Sequence, residues 1–171
     1  MRKATQTLAL ASMMTAVMMV LGYIESLLPV SSVPGIKLGL ANSVLVIALY
    51  WLDVKTCFMV MTVRVVLTGL LFGNPMMILY SMAGGTLSLA VMALLKRCRG
   101  VSPVGVGMAG GAMHNVGQVA IAALVLQTSS ILTYLAILLP VGAGMGFLTG
   151  TVARLLSARA KRLFSVPETH Q

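Results

Sequence analysis

Residues 8–28 read LALASMMTAVMMVLGYIESLL. A helix needs roughly 20 mostly apolar residues to cross the hydrocarbon core of a bilayer, and this run is long enough. It carries one charge, Glu25, near its far end, and it follows Arg2 and Lys3. No A-x-A cleavage pattern follows the run. It is therefore read as an uncleaved first membrane helix rather than a signal peptide.

The rest of the chain repeats the pattern. Apolar runs at 5–28, 38–52, 55–73, 75–95, 103–126 and 131–156 are separated by 29–35, 53–55, 73–75, 96–102 and 127–130, where Pro, Gly, polar or charged residues interrupt. The expected fold is an all-α membrane protein of six transmembrane helices, forming one integral membrane domain over 1–171. Composition agrees: 58% of the chain is apolar and 9% is charged, with a mean hydropathy of +1.00. A soluble domain would carry more charge on its wetted surface. The second run is the shortest and follows Pro34 and Gly35. It is read as a short tilted helix, or as a broken one whose first part lines a cavity.

Twelve Lys and Arg stand against three acidic residues. Arg2, Lys3, Lys55, Lys96, Arg97, Arg99, Arg154, Arg159, Lys161 and Arg162 all fall at one set of helix ends; Lys37 alone falls at the other. The positive-inside rule then places both termini in the cytoplasm. No basic face with interleaved aromatics is present, so nucleic acid is set aside. Cys57 and Cys98 lack metal-ligand spacing and read as free thiols.

Small residues form helix-packing stripes: Ser12 and Ala16 in the first span, Gly84 and Gly85 in the fourth, Gly110 and Gly111 in the fifth, and Gly142, Gly146 and Gly150 in the sixth. Such faces let helices approach closely where lipid supplies no hydrophobic drive between them. Polar groups at membrane depth are costly and mark function by default. The candidate ligand-binding residues are Glu25, Lys37, Asn42, Arg64, His114, Asn115 and Gln118, with Arg64 or Lys37 meeting an anionic group. The bland alternatives are packing for most glycines, a cap for Asn42, an interfacial role for Glu25, and internal hydrogen bonding for Arg64, His114 and Gln118.

The acidic residues Glu25, Asp53 and Glu168 are scattered. No Asp-rich motif, Walker A sequence, GxSxG or HExxH is present. Neither ATP hydrolysis nor self-sufficient prenyl transfer is expected, since diphosphate ionisation needs carboxylate-bound metal. No cofactor or metal is expected either.

Four stretches carry a resemblance: 33–42 (VPGIKLGLAN), Arg64 with 69–73 (GLLFG), 80–85 (YSMAGG) and 110–118 (GGAMHNVGQ). They resemble, in order, the bacterial family of heptaprenyl diphosphate synthase component I, also called the Gx transporter family. That name implies an accessory membrane subunit in making the isoprenoid tail of menaquinone, beside a soluble prenyl synthase. The helix layout is also similar to the substrate-binding S components of energy-coupling factor (ECF) transporters. This likeness implies a small-molecule ligand site near the outer face and partner ATPases joined through a coupling protein. In those proteins small residues on the first helix dock the coupling protein; 12–16 (SMMTA) approximates that pattern, with Ser12 departing from it. A transport subunit for a small organic ligand is the preferred expectation, because the carboxylates of a synthase are missing. A subunit of prenyl diphosphate synthesis is the alternative, and a component of flavin- or quinone-linked electron transfer is the third.

Overall fold

A computed structural model describes residues 2–27 and 40–164. They form six α-helices: α1 (Arg2–Ser26), α2 (Leu40–Trp51), α3 (Val54–Phe72), α4 (Pro75–Arg97), α5 (Pro103–Leu126) and α6 (Leu135–Phe164). A 3-10 segment, Ser129–Tyr134, leads into α6, and no strand occurs among the described residues. Lys37 and the motif around it lie outside the described residues.

Local chemistry sets the boundaries. The Asp53 side chain accepts from Thr56 N at 3.0 Å and begins α3. Asn74 accepts from Met77 N at 2.9 Å, with Pro75 at the first position of α4. Ser102 accepts from Gly105 N at 3.2 Å, with Pro103 next. Each supplies the acceptor that an exposed helix N-terminus lacks, and proline fits where no N–H is needed. Gln127, in the left-handed region at φ 49°, ends α5.

Five helical segments are long and apolar enough to cross a membrane: Ala4–Ser26, Val54–Phe72, Pro75–Arg97, Pro103–Leu126 and Ser129–Leu156. Their outward residues are apolar and bare. Leu8, Leu70 and Leu124 are 68%, 71% and 73% exposed. Such a surface is stable facing lipid and unstable facing water.

α2 is different. Its 12 residues rise about 18 Å, against a hydrocarbon core of about 30 Å. The expected sixth crossing is thus a half-height helix over its described length. It packs against each of the other five helices, and Leu45, Ala48 and Leu49 are fully buried. A helix apolar on all sides belongs inside a bundle.

Two hydrogen bonds fix its height. Asn42, in its first turn, donates to Ser88 Oγ at 2.7 Å, beyond the midpoint of α4. At its other end the Leu49 carbonyl accepts from Lys96 Nζ at 2.8 Å, in the last turn of α4. α2 therefore fills only the half of the bundle that ends in Lys96 and Arg97, the basic end. α1, α3, α4, α5 and α6 pack in sequence around it, and α1 touches only α2 and α3 among the described residues. At the opposite end Tyr23 and Phe72 join α1 to α3, with ring centroids 4.9 Å apart.

The glycines of α5 face two ways. Toward α6, a Cβ on Gly111 would strike the Gly142 carbonyl, and one on Gly107 the Gly146 carbonyl. Toward α4, a Cβ on Gly117 would lie 2.8 Å from the Ala83 carbonyl, and one on Gly110 would overlap Met92. Gly150 packs on Val104, and Gly85 on Met61 of α3. At Gly107, Gly111, Gly117, Gly142, Gly146 and Gly150 backbones thus lie close together, while Gly85 and Gly110 receive methionine side chains. Ser12 and Ala16 are exposed. α1 instead buries Met14, Met18, Gly22 and Glu25, a stripe spaced by fours and threes that turns the Ser12 side outward.

Candidate functional site

The buried face of α3 carries Cys57, Val60, Met61, Arg64, Val65, Thr68 and Gly69. The 3.6-residue period therefore points Arg64 and Thr68 inward, one turn apart. On α1 the buried stripe brings Gly22 against Thr68, where an added Cβ would sit 3.2 Å from the Thr68 methyl. The next buried residue on that stripe is Glu25. On α4, Ile78 packs into the space left by Gly69, so closely that a Cβ there would overlap it.

Between α3 and α4 these residues leave a cleft of about 220 Å³ counting its open mouth, lined by Arg64, Val65, Thr68, Gly69, Met77 and Ser81. Its enclosed part has room for about one water molecule. The cleft lies in the half of the bundle that α2 does not fill.

Its polar groups are deeply buried: Arg64 is 5% exposed, Thr68 4% and Ser81 7%. Glu25, 2% exposed, lies within electrostatic range of Arg64. Arg64 Nε and Thr68 Oγ1 have no hydrogen-bond partner. Thr68 departs from a local habit here. Thr15, Thr62, Thr149 and Thr151 each donate to the carbonyl four residues back, at 2.8–2.9 Å. That bond satisfies a hydroxyl in an apolar setting. A guanidinium Nε–H and a hydroxyl left open at this depth can together receive a carboxylate or phosphate oxygen.

The other candidate residues are used elsewhere. Asn42 donates to Ser88 Oγ, which donates on to the Gly110 carbonyl at 2.7 Å; this chain ties α2, α4 and α5 together. Gln118 Nε2 lies 2.7 Å from His114 Nε2 on the same face of α5. Both press on Gly84, where a Cβ would meet the His114 carbonyl at 2.6 Å and Gln118 Cγ at 2.9 Å. Asn115 donates to the Leu138 carbonyl of α6 at 2.5 Å. So Arg64 and Glu25 come together near the cleft. His114, Asn115 and Gln118 line the α4–α5–α6 interfaces and do not line it. Thr68 escaped the sequence reading, although its position four residues after Arg64 was a usable signal.

Among the described residues no three His, Cys, Asp or Glu side chains gather as a metal site would require. Cys57 is buried and Cys98 exposed, both as free thiols.

An apolar helical bundle with a buried cation beside an internal cleft defines a class, that of polytopic membrane proteins with a polar site between helices. The sequence profile of heptaprenyl diphosphate synthase component I matches residues 14–156, and the chain belongs to that family. No curated protein and no solved structure gives a significant match.

Proposed function

We propose that the chain is a substrate-binding membrane transport subunit, resembling an ECF S component, that takes a small organic anion into the cleft beside Arg64. The single observation that carries this reading is that Arg64 Nε and Thr68 Oγ1, on side chains more than nine-tenths buried, have no hydrogen-bond partner. A purely structural arginine at membrane depth is expected to spend its donors on carbonyls or carboxylates. The cleft is smaller than the ligand sites of most proteins, so binding requires α3 and α4 to separate. They would part where the Ile78 side chain of α4 rests on the bare backbone of Gly69. Energy would come from partner ATPases acting through a coupling protein, with the exposed Ser12–Ala16 side of α1 as its docking face. Deletion of the gene should reduce uptake of one small anion. Unchanged uptake across a panel of organic anions would refute the reading.

The family match favours a second reading, in which the chain is a non-catalytic membrane partner of a soluble prenyl diphosphate synthase. It then binds a diphosphate head group at the same arginine. Shortened quinone tails in the deletion strain, with a prenyl synthase co-purifying, would select it; unchanged tails would exclude it.

A further inference from the structure

We infer that the basic end of the bundle holds an anionic phospholipid, its phosphate received by Arg99 and Arg154. This site is separate from the cleft beside Arg64 and does not depend on the function proposed for that cleft.

The register of the α5–α6 seam brings the two arginines together. Gly111 meets Gly142, Gly107 meets Gly146, and Val104 meets Gly150. Each step of four residues forward on α6 is matched by three or four back on α5. One more step sets Arg154 level with the turn that holds Arg99, just before α5 begins at Pro103. That turn is short and shaped: Gly100 adopts φ 98°, a backbone that favours glycine, and Ser102 caps α5. Arg97, in the last turn of α4, stands at the same end. All three arginines are exposed.

The chemistry of the patch fits a phosphate. Among the described residues the acids are Glu25, at the opposite end, and Asp53, whose carboxylate accepts from Thr56. Lys96, the neighbouring cation, donates to the Leu49 carbonyl. Arginine carries the planar fork that fits phosphate oxygens two at a time. Orienting a chain in a membrane needs only positive charge, and lysine would serve that purpose as well.

The surface beneath the arginines selects a lipid over a soluble phosphate. The apolar spans end at this level, one at Arg97 and another at Leu156, so the arginines stand where head groups lie. One to two turns deeper, Leu94 on α4, Met108 on α5 and Leu148 on α6 are 63%, 39% and 56% exposed. Acyl chains cover such side chains, and a free phosphate leaves them bare. The described residues at the opposite end carry no cation, so the site belongs to one leaflet.

The test is native mass spectrometry and thermal unfolding of the full chain in detergent. It is titrated with dioleoyl phosphatidylglycerol, which is anionic, or dioleoyl phosphatidylcholine, which is zwitterionic. Glycerol 3-phosphate serves as a head group without chains. The expected result is one phosphatidylglycerol retained in preference to phosphatidylcholine, with a raised unfolding temperature and no displacement by glycerol 3-phosphate. Arg99→Gln and Arg154→Gln should each weaken retention about fivefold. Arg99→Lys and Arg154→Lys keep the charge and lose the fork, and should weaken it by less. Lys55→Gln removes a cation of the same end from α3, which touches neither α5 nor α6 among the described residues, and should leave retention unchanged. Equal retention of the two lipids, or the same loss from Lys55→Gln as from Arg154→Gln, overturns the site. Displacement by glycerol 3-phosphate would assign it to a soluble phosphate and overturn the lipid. Retention unmoved by both arginine variants would leave the patch to an acidic protein surface and overturn the lipid site as well.

Discussion

Asn115 donates to the Leu138 carbonyl at 2.5 Å, and that bond continues the register that sets Gly111 against Gly142 and Gly107 against Gly146. One face of α5, with residues spaced by four, is thus matched position by position to one face of α6. A polar bond stands at one end of the seam and bare backbone contact along the rest.

That seam makes a sharp prediction about glycine substitutions. Gly111→Ala forces a methyl into the Gly142 carbonyl, whereas Gly144 has nothing within 4 Å of an added Cβ. Gly111→Ala should lower stability by about 1–3 kcal/mol, the usual range for overpacking. Gly144→Ala should leave it unchanged or raise it by up to about 1 kcal/mol, since alanine is the better helix former. Thermal unfolding of the detergent-solubilised variants, followed by size-exclusion chromatography, checks both.

The Asn42–Ser88–Gly110 chain makes a prediction about coupling. Asn42→Ala and Ser88→Ala each break the same link between α2 and α4. Each should cost about 0.5–1.5 kcal/mol, as interhelical hydrogen bonds in membranes do. The double variant should cost less than the two together, because the second substitution finds the bond already gone. Strict additivity in a double-mutant cycle would show that the two side chains do not act as one.

Much of this fold was legible from sequence. The span 103–126 matches α5 because Ser102 and Pro103 mark its start in the sequence itself. The span 131–156 agrees with the apolar segment Ser129–Leu156, and α6 continues beyond it to Phe164. Its terminal Arg and Lys residues ended the apolar run, but they are good helix formers and did not end the helix. The height of α2 was not legible. An apolar run looks the same whether lipid or protein surrounds it, and only the bonds of Asn42 and Lys96 to α4 reveal where it starts and stops. The site divides in the same way. Arg64 stood out as a charge in an apolar run. Thr68 did not, since a threonine in a membrane helix ordinarily bonds to its own backbone. His114 and Gln118 stand out in the sequence as polar groups at membrane depth, and the fold sets both against Gly84 of α4.

Lys96 closes the carbonyl end of α2, bonding to the Leu49 carbonyl at 2.8 Å with its ammonium 5.5 Å above the Tyr50 ring. Lys96→Met keeps the aliphatic stem and removes the donor. It should cost about 1 kcal/mol or less at this partly wetted end. The loss should appear first as faster hydrogen exchange in the last turn of α2.

The Asp53 cap carries a pH prediction. The Thr56 hydroxyl and N–H bond its carboxylate and hold it below the usual aspartate range. A depressed folded value means stability that is present above the unfolded value and lost as pH falls through the folded one. Thr56→Val removes the hydroxyl bond and leaves the N–H. The Asp53 titration, read from its carboxyl carbon by NMR, should move upward toward the ordinary value, and the acid-side loss of α3 stability should shrink.

The central claim, that Arg64 holds an anionic ligand, is tested most directly by mass spectrometry of small molecules retained by the purified protein. Wild type, Arg64→Ala and Lys55→Ala are compared at equal expression, Lys55 being an exposed cation at the start of the same helix. The expected result is one small anion retained by wild type and by Lys55→Ala and absent from Arg64→Ala. The same retained molecules in all three proteins, or none in any, would contradict it.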